Sequence, residues 1–187
     1  MSDTFIQTYT GKHVNPLDMR QEDVDIIDIA HALSLTNRFT GHTVKPYSVA
    51  QHSTLVSSLC QPENQLWGLL HDAPEAYFAD ISRPVKLLLN YKTNGLLRFV
   101  EDQIMVAICQ KFNLDLAEPK DVKQSDDVAL ANEAYSFFGH TEGYGRWHHQ
   151  FHNGYRQLPY KIVPQACHEA ESDFLFQFKY LQKRGAA

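Results

Sequence analysis

Leu66-Trp67-Gly68-Leu69-Leu70-His71-Asp72-Ala73-Pro74-Glu75-Ala76 is an apolar run that closes abruptly on an imidazole and two carboxylates. Ionisable groups seldom end a buried segment without a partner. Read as a helix, the run puts His71 and Glu75 at i and i+4 on one face, with Asp72 about 100° round but short enough to share an ion with His71. One helix then supplies two metal ligands and a neighbouring acid or base.

Two further ligand types sit on segments that also read as helices. In Tyr47-Ser48-Val49-Ala50-Gln51-His52-Ser53-Thr54-Leu55-Val56, Ser48 followed by Gln51 has the form of a capping box, which places His52 in the first turns of a helix. In Asp121-Val122-Lys123-Gln124-Ser125-Asp126-Asp127-Val128-Ala129, the residues Val122, Asp126 and Ala129 keep to one helical face. An inward carboxylate there needs a cation partner. Asp127 leaves that face and is expected in solvent. Two imidazoles and two carboxylates suit a borderline first-row divalent ion with positions open to water and substrate. Such an ion lowers the pKa of its water from 15.7 to roughly 7 and polarises a phosphoryl oxygen.

The rest of the chain supports a helical frame. Ile26, Ile29, Ala30 and Leu33 recur at helical spacing after the acidic Glu22, Asp23 and Asp25, so a first helix is expected from Glu22 to about Asn37. Further helices are expected from Ser48 to about Cys60, from about Asn64 to Tyr77, from Pro84 to Leu89, and from Asp121 to Phe138. Leu96, Val100, Ile104, Ile108 and Phe112 form an i+4 ladder read as core without chemistry, and a final helix is expected over Gln165 to Gln182. Thr4, Thr8, Tyr9, Thr10 and Gly11 read as an extended arm. Helices joined by short Pro or Gly loops indicate a compact all-α bundle, one domain over residues 1–187, with ligands projecting inward from different helices.

The spacing His52, His71-Asp72, Asp126 resembles that of the HD-domain phosphohydrolases. The flanking text Arg38-Phe39-Thr40-Gly41-His42-Thr43, Tyr47 to Ser53, His71 to Tyr77 and Asp80-Ile81-Ser82-Arg83-Pro84-Val85-Lys86 is similar to their small bacterial and phage branch. That branch includes YfbR-type 5′-deoxynucleotidases and DatZ-type phage dATP triphosphohydrolases. The resemblance covers residues 22–138. It implies that His52, His71, Asp72 and Asp126 hold one divalent metal ion, Co, Mn, Zn or Fe, and that Glu75 and Asp80 position and deprotonate the attacking water. It also implies that Arg38 holds the nucleotide, that Phe39 offers an aromatic wall where relatives often carry Trp, and that Lys86 and Lys123 reach phosphate oxygens. Two lysines and an arginine beside a metal are what a polyanionic substrate needs.

Plainer roles stay open for these residues. His71 and Asp72 could form a structural zinc site, Glu75 could pair with a surface lysine, Phe39 could be core, and Lys86 could be a lysine favoured by a helix dipole. His31 reads as a packed histidine and His42 as a hydrogen-bonded loop residue. Trp147-His148-His149-Gln150-Phe151-His152 offers histidines at metal-binding spacing, but it has no acidic ligand and lies between Gly143, Gly145 and Gly154. It is read as a surface loop.

Composition bounds the partners. A chain of 187 residues, 43% hydrophobic and 21% charged, can bury a substantial core. A formal charge of −5 argues against binding a nucleic acid polymer. Cys60, Cys109 and Cys167 are odd in number and widely spaced, which fits reduced thiols in a cytoplasmic protein. No run reaches the ~18 apolar residues of a membrane span, and no leader pattern opens the chain, so no membrane partner is expected. The Phe174, Leu175, Phe178 and Leu181 face is available for a partner copy, in keeping with the homo-oligomers common among the relatives.

The expected activity is divalent-metal-dependent cleavage of the 5′-phosphoester of a deoxynucleotide, releasing deoxynucleoside and phosphate from a small-molecule substrate. Three alternatives remain: a deoxynucleoside triphosphate triphosphohydrolase, a guanosine alarmone hydrolase, and a non-catalytic nucleotide-binding module.

Overall fold

A computed structural model describes residues 5–142 and 156–185, and nearly all of their regular structure is helical. The Trp147–His152 cluster lies outside the described residues. A two-residue hairpin, β1 (Ile6–Gln7) against β2 (His13–Val14), pairs antiparallel with Ile6 opposite Val14. Helices follow as α1 (Ile26–Leu35), α2 (Val49–Leu59), α3 (Gln65–Leu70), α4 (Glu75–Phe78), α5 (Arg83–Lys92), α6 (Leu96–Phe112), α7 (Lys120–Phe138) and α8 (Cys167–Gly185). The all-α class read from the sequence is the architecture found.

α2 is the hub, packed against α1, α3, α7 and α8. Ser48 starts it by accepting the N–H of Gln51 at 3.2 Å. The reciprocal half of the expected capping box does not form. The Gln51 side chain instead donates to the Val163 carbonyl at 2.8 Å and accepts from the Gln165 N–H at 2.9 Å, satisfying two backbone groups of the irregular stretch that leads into α8.

α1 starts at Ile26, four residues later than expected. Asp25 caps it by accepting from the Ile27 N–H, while Asp23 accepts from the Arg20 N–H and closes a separate turn. Asp28, buried in the first turn of α1, accepts from both the N–H and the hydroxyl of Thr10 at 2.6 and 2.8 Å, which fastens the hairpin to the bundle.

The single helix expected from Asn64 to Tyr77 is two helices. Pro74 has no N–H and its ring would meet the carbonyl of Leu70, so the ladder gives way to tighter bonds, Ala73 N to Leu70 O and Glu75 N to Asp72 O, both at 3.0 Å. α4 then restarts at Glu75, and the i, i+4 face expected to carry His71 and Glu75 together is broken.

The ladder on α6 is buried from Val100 through Ile108, but Leu96 is 55% exposed. α5 buries none of its residues, leaving Leu87, Leu88 and Tyr91 more than half exposed. The C-terminal face expected to await a partner is used at home: Phe174 is fully buried, Leu181 is 6% exposed, and Leu175 and Phe178 pack on the same core. No helix among the described residues is long and apolar enough to cross a membrane.

Candidate metal centre

The α2–α3 contact brings the two histidines together. A Cβ built on Gly68 would lie 2.6 Å from the Cys60 sulfur and 3.3 Å from the Ser57 Cα, so this close approach requires glycine. His71, at the end of α3, turns its Nδ1 to the Gly68 carbonyl at 2.8 Å. Its Nε2 thereby faces the Nε2 of His52, 3.3 Å away. Asp72 Oδ2 lies 3.2 Å from His71 Nε2 and 3.5 Å from His52 Nε2. Donor atoms of His52, His71 and Asp72 all lie within 4.8 Å of one another.

Asp126 approaches from α7, with Oδ1 3.3 Å from His52 Nε2, but it is not among the three residues whose donor atoms cluster within 4.8 Å. Its other oxygen is held by Lys123 Nζ at 2.8 Å, and Lys123 also meets Asp127 at 2.9 Å. Lys123, half exposed, is thus tied to two acids on its own helix. Asp127 is 46% exposed, off the inward face.

Glu133 is the functional candidate that the sequence reading passed over. It is fully buried, seven residues beyond Asp126 on the same face of α7. Its Oε1 accepts from His52 Nδ1 at 2.6 Å and from the Tyr47 hydroxyl at 2.8 Å. Its Oε2 accepts from Arg38 Nε at 3.2 Å, with Nη2 at 3.1 Å. The Val122, Asp126, Ala129 stripe extends by period to this position, and that was the available signal.

Arg38 is brought in by backbone pairing. Its N–H donates to the Tyr47 carbonyl at 2.8 Å, beside an isolated bridge between Asn37 and Ser48. The guanidinium is largely buried, and its Nη1 lies 3.5 Å from Asp72 Oδ2. Phe39 and Thr40, with φ of 55° and 53°, and Gly41, with φ of 73°, form a left-handed turn after it. That turn sets the Phe39 ring edge-on to Phe137 and Phe138 at the end of α7, at centroid distances of 6.2 and 5.3 Å.

On the other side lies Glu75, 9% exposed, whose Oε2 has no hydrogen-bond partner among the described residues. Lys86, on α5, sits 3.9 Å from Glu75 Oε1 and 2.7 Å from Glu101 on α6. The α6 helix therefore does contribute charge near the site. Asp80 follows Ala79, whose φ of 78° and ψ of 153° lie in a region normally left to glycine.

Burial raises the Glu75 carboxyl well above the usual range, and the neighbouring Asp72 and Asp80 push it the same way. Burial also raises Asp80, with Arg38 opposing and Asp72 adding to the rise. For Asp72 burial again works upward, but His71, His52 and Arg38 outweigh it and hold the carboxyl below its ordinary value. Asp126 is held down similarly, against burial, by its hydrogen bond to His52 and by the His52, His71 and Lys123 charges. Burial and Arg38 press His52 downward, yet Glu133 and Asp126 overcome both and raise it to about 9.

The His52, His71 and Asp72 donors could hold a metal ion. Each imidazole has its Nδ1 engaged by an oxygen, which leaves Nε2 directed at the shared point, where the Asp72 carboxylate joins them, while Asp126 contacts His52 Nε2 from α7. His31 stands apart, against Glu171 at 3.3 Å and stacked on Tyr9, and His42 is exposed after the left-handed turn.

No family model matches the chain. A stretch of 131 residues is 40% identical to the uncharacterized protein YfdR of Escherichia coli (strain K12), covering 70% of each chain. A second uncharacterized protein, from Rhodobacter capsulatus, is 33% identical over 146 residues, covering 71% of this chain and 72% of that one. At this identity and coverage, the chain belongs to the same family as YfdR.

Proposed function

We propose that the protein is a divalent-metal-dependent phosphohydrolase of the HD-domain type that cleaves the 5′-phosphoester of a deoxynucleotide. The observation that carries the reading is the convergence of His52, His71 and Asp72 donor atoms within 4.8 Å, with a buried acid, Glu75, close by and without a hydrogen-bond partner at Oε2. A bound ion would be held by these three residues with Asp126, and it supplies a water acidified to a pKa of roughly 7 together with Lewis-acid polarisation of a phosphoryl oxygen.

The protein's own groups do the remainder. Glu75, held in a buried and acidic setting, is a strong base once ionised, and its Oε2 takes the proton that water loses on attacking the α-phosphorus. The bond between that phosphorus and the 5′ oxygen breaks, and the deoxynucleoside leaves as its 5′ oxygen takes up the proton that Glu75 received, which returns Glu75 to its ionised form. Asp80 orients the water. Arg38 and Lys86 offer positive charge to the phosphate oxygens, and Phe39 offers a ring to base or sugar.

Charge balance favours a monophosphate over a triphosphate. Arg38, Lys86 and Lys123 each already face two carboxylates: Glu133 and Asp72, Glu101 and Glu75, Asp126 and Asp127. Three such cations leave little surplus for the added charge of two more phosphates.

The test is chromatographic product analysis of metal-free protein resupplied with Co, Mn, Zn or Mg, given each deoxynucleoside mono- and triphosphate, beside an Asp72→Ala control. Free deoxynucleoside and phosphate from monophosphates is the expected result. Deoxynucleoside with intact triphosphate would assign the triphosphohydrolase instead, and no metal-dependent product from either substrate would sink the deoxynucleotide reading.

A further inference from the structure

We infer that Glu133 is a positioning residue that fixes the tautomer of His52 for the ion and, with its other oxygen, aims Arg38 toward the substrate. The inference rests on the metal reading above and adds a role for a residue that touches neither ion nor substrate. A fully buried carboxylate is costly unless every lone pair is engaged. Here four donor atoms meet it: His52 Nδ1 and the Tyr47 hydroxyl on Oε1, Arg38 Nε and Nη2 on Oε2. Glu133 therefore satisfies two functional side chains at once, arriving from two different segments of the chain.

The consequence for His52 is a matter of which nitrogen carries the proton. A carboxylate accepts and cannot donate, so His52 presents Nδ1–H to Glu133 and leaves the Nε2 lone pair directed at Asp72, Asp126 and His71. The negative charge at 2.6 Å also makes that lone pair more basic, which strengthens it as a ligand. His71 lacks a charged counterpart, since its Nδ1 meets a backbone carbonyl. The two imidazoles are consequently unequal, and His52 is the one whose hold on the ion depends on a side chain.

The consequence for Arg38 is directional. With Nε and Nη2 occupied on Oε2, the remaining amine, Nη1, is turned to Asp72 beside the metal point. An amide in place of the carboxylate cannot serve both sides. Glu133→Gln presents an oxygen to one partner and an NH2 group to the other, which is itself a donor.

The experiment begins with wild-type protein. Long-range 15N spectra of histidine-labelled, zinc-loaded protein are expected to show His52 protonated at Nδ1 and metal-bound through Nε2; protonation at Nε2 or binding through Nδ1 overturns the inference without any variant. Calorimetric titration of Mn2+ into metal-free protein then compares wild type, Glu133→Gln and Tyr47→Phe. Glu133→Gln is expected to weaken binding by about 10–100-fold and to raise KM more than it lowers kcat, through the misdirected Arg38. Tyr47→Phe, which removes a donor from the same carboxylate, is expected to keep metal affinity near the wild-type value. Equal losses in both variants would make the network merely structural, and unchanged affinity in Glu133→Gln would remove Glu133 alone. A wild-type protein that takes up no Mn2+, Co2+ or Zn2+ overturns the metal reading and this inference with it.

Discussion

The carbonyl of Gly68 accepts the Nδ1–H of His71 at 2.8 Å, three residues along the same turn. The residue that lets α3 approach α2 thus also orients a proposed ligand. Gly68→Ala would put a methyl 2.6 Å from the Cys60 sulfur and 3.3 Å from the Ser57 backbone. It is expected to destabilise the fold by about 1–3 kcal/mol in urea unfolding and to weaken Mn2+ binding as well. Pairing it with Cys60→Ala removes the closer clash, so the double variant is expected to be more stable than the two single effects added together.

Metal binding should track pH through His52. Its folded-state value, about 9, lies above the ordinary 6.5, so the folded protein binds this proton more tightly than the unfolded chain. In metal-free protein that contribution to stability is complete below about pH 6.5 and lost as pH rises through about 9. An ion must displace the same proton, so divalent-ion affinity is expected to climb across this interval while the Tm of the metal-free protein falls. A flat affinity profile from pH 6.5 to 9 would contradict the assignment of His52.

Glu75→Gln separates stability from activity. The buried carboxyl has its proton affinity raised on folding, so its favourable contribution is complete below the unfolded value of 4.5 and is lost as pH rises through the raised folded value. At neutral pH the neutral isostere is expected to raise the Tm. The same change is expected to lower kcat by about 10²–10⁴-fold if Glu75 takes the proton from water. Loss of both stability and activity would assign Glu75 a structural role.

Lys123→Met examines the cation that competes for Asp126. Surface pairs of this kind contribute about 0–1 kcal/mol, so unfolding free energy should hardly change. Divalent-ion binding is expected to tighten, because Asp126 Oδ2 no longer serves an ammonium at 2.8 Å. Weaker binding would mean that Lys123 holds Asp126 in its ligating rotamer.

Much of the centre was legible because its residues interrupt apolar periodicity. His52, His71 and Asp72 stand at the ends or inward faces of segments whose buried positions are mostly apolar or small, and such interruptions demand a partner. Glu133 obeys the same rule, yet Asn132-Glu133-Ala134-Tyr135 reads locally like a solvated helix surface. Its partners Arg38, Tyr47 and His52 lie 81 residues or more away in sequence, a relation no local period contains. The Lys86–Glu101 pair was hidden for a related reason, since it depends on how the turn at Asn94 and Gly95 folds α5 onto α6. The break before Glu75 was legible in Pro74, but the attraction of an i, i+4 His–Glu pair concealed it.

The left-handed turn after Arg38 has a bearing on how the protein could be improved in the laboratory. Thr40 is exposed and β-branched at φ 53° and ψ 30°, where such side chains are rare and disfavoured by about 1–2 kcal/mol. Glycine, ordinarily a weakening substitution, is the residue that relaxes this backbone. Thr40→Gly is expected to raise the unfolding midpoint while leaving Arg38 attached to Glu133. The turn beside the centre is therefore where stability can be gained by removing a side chain.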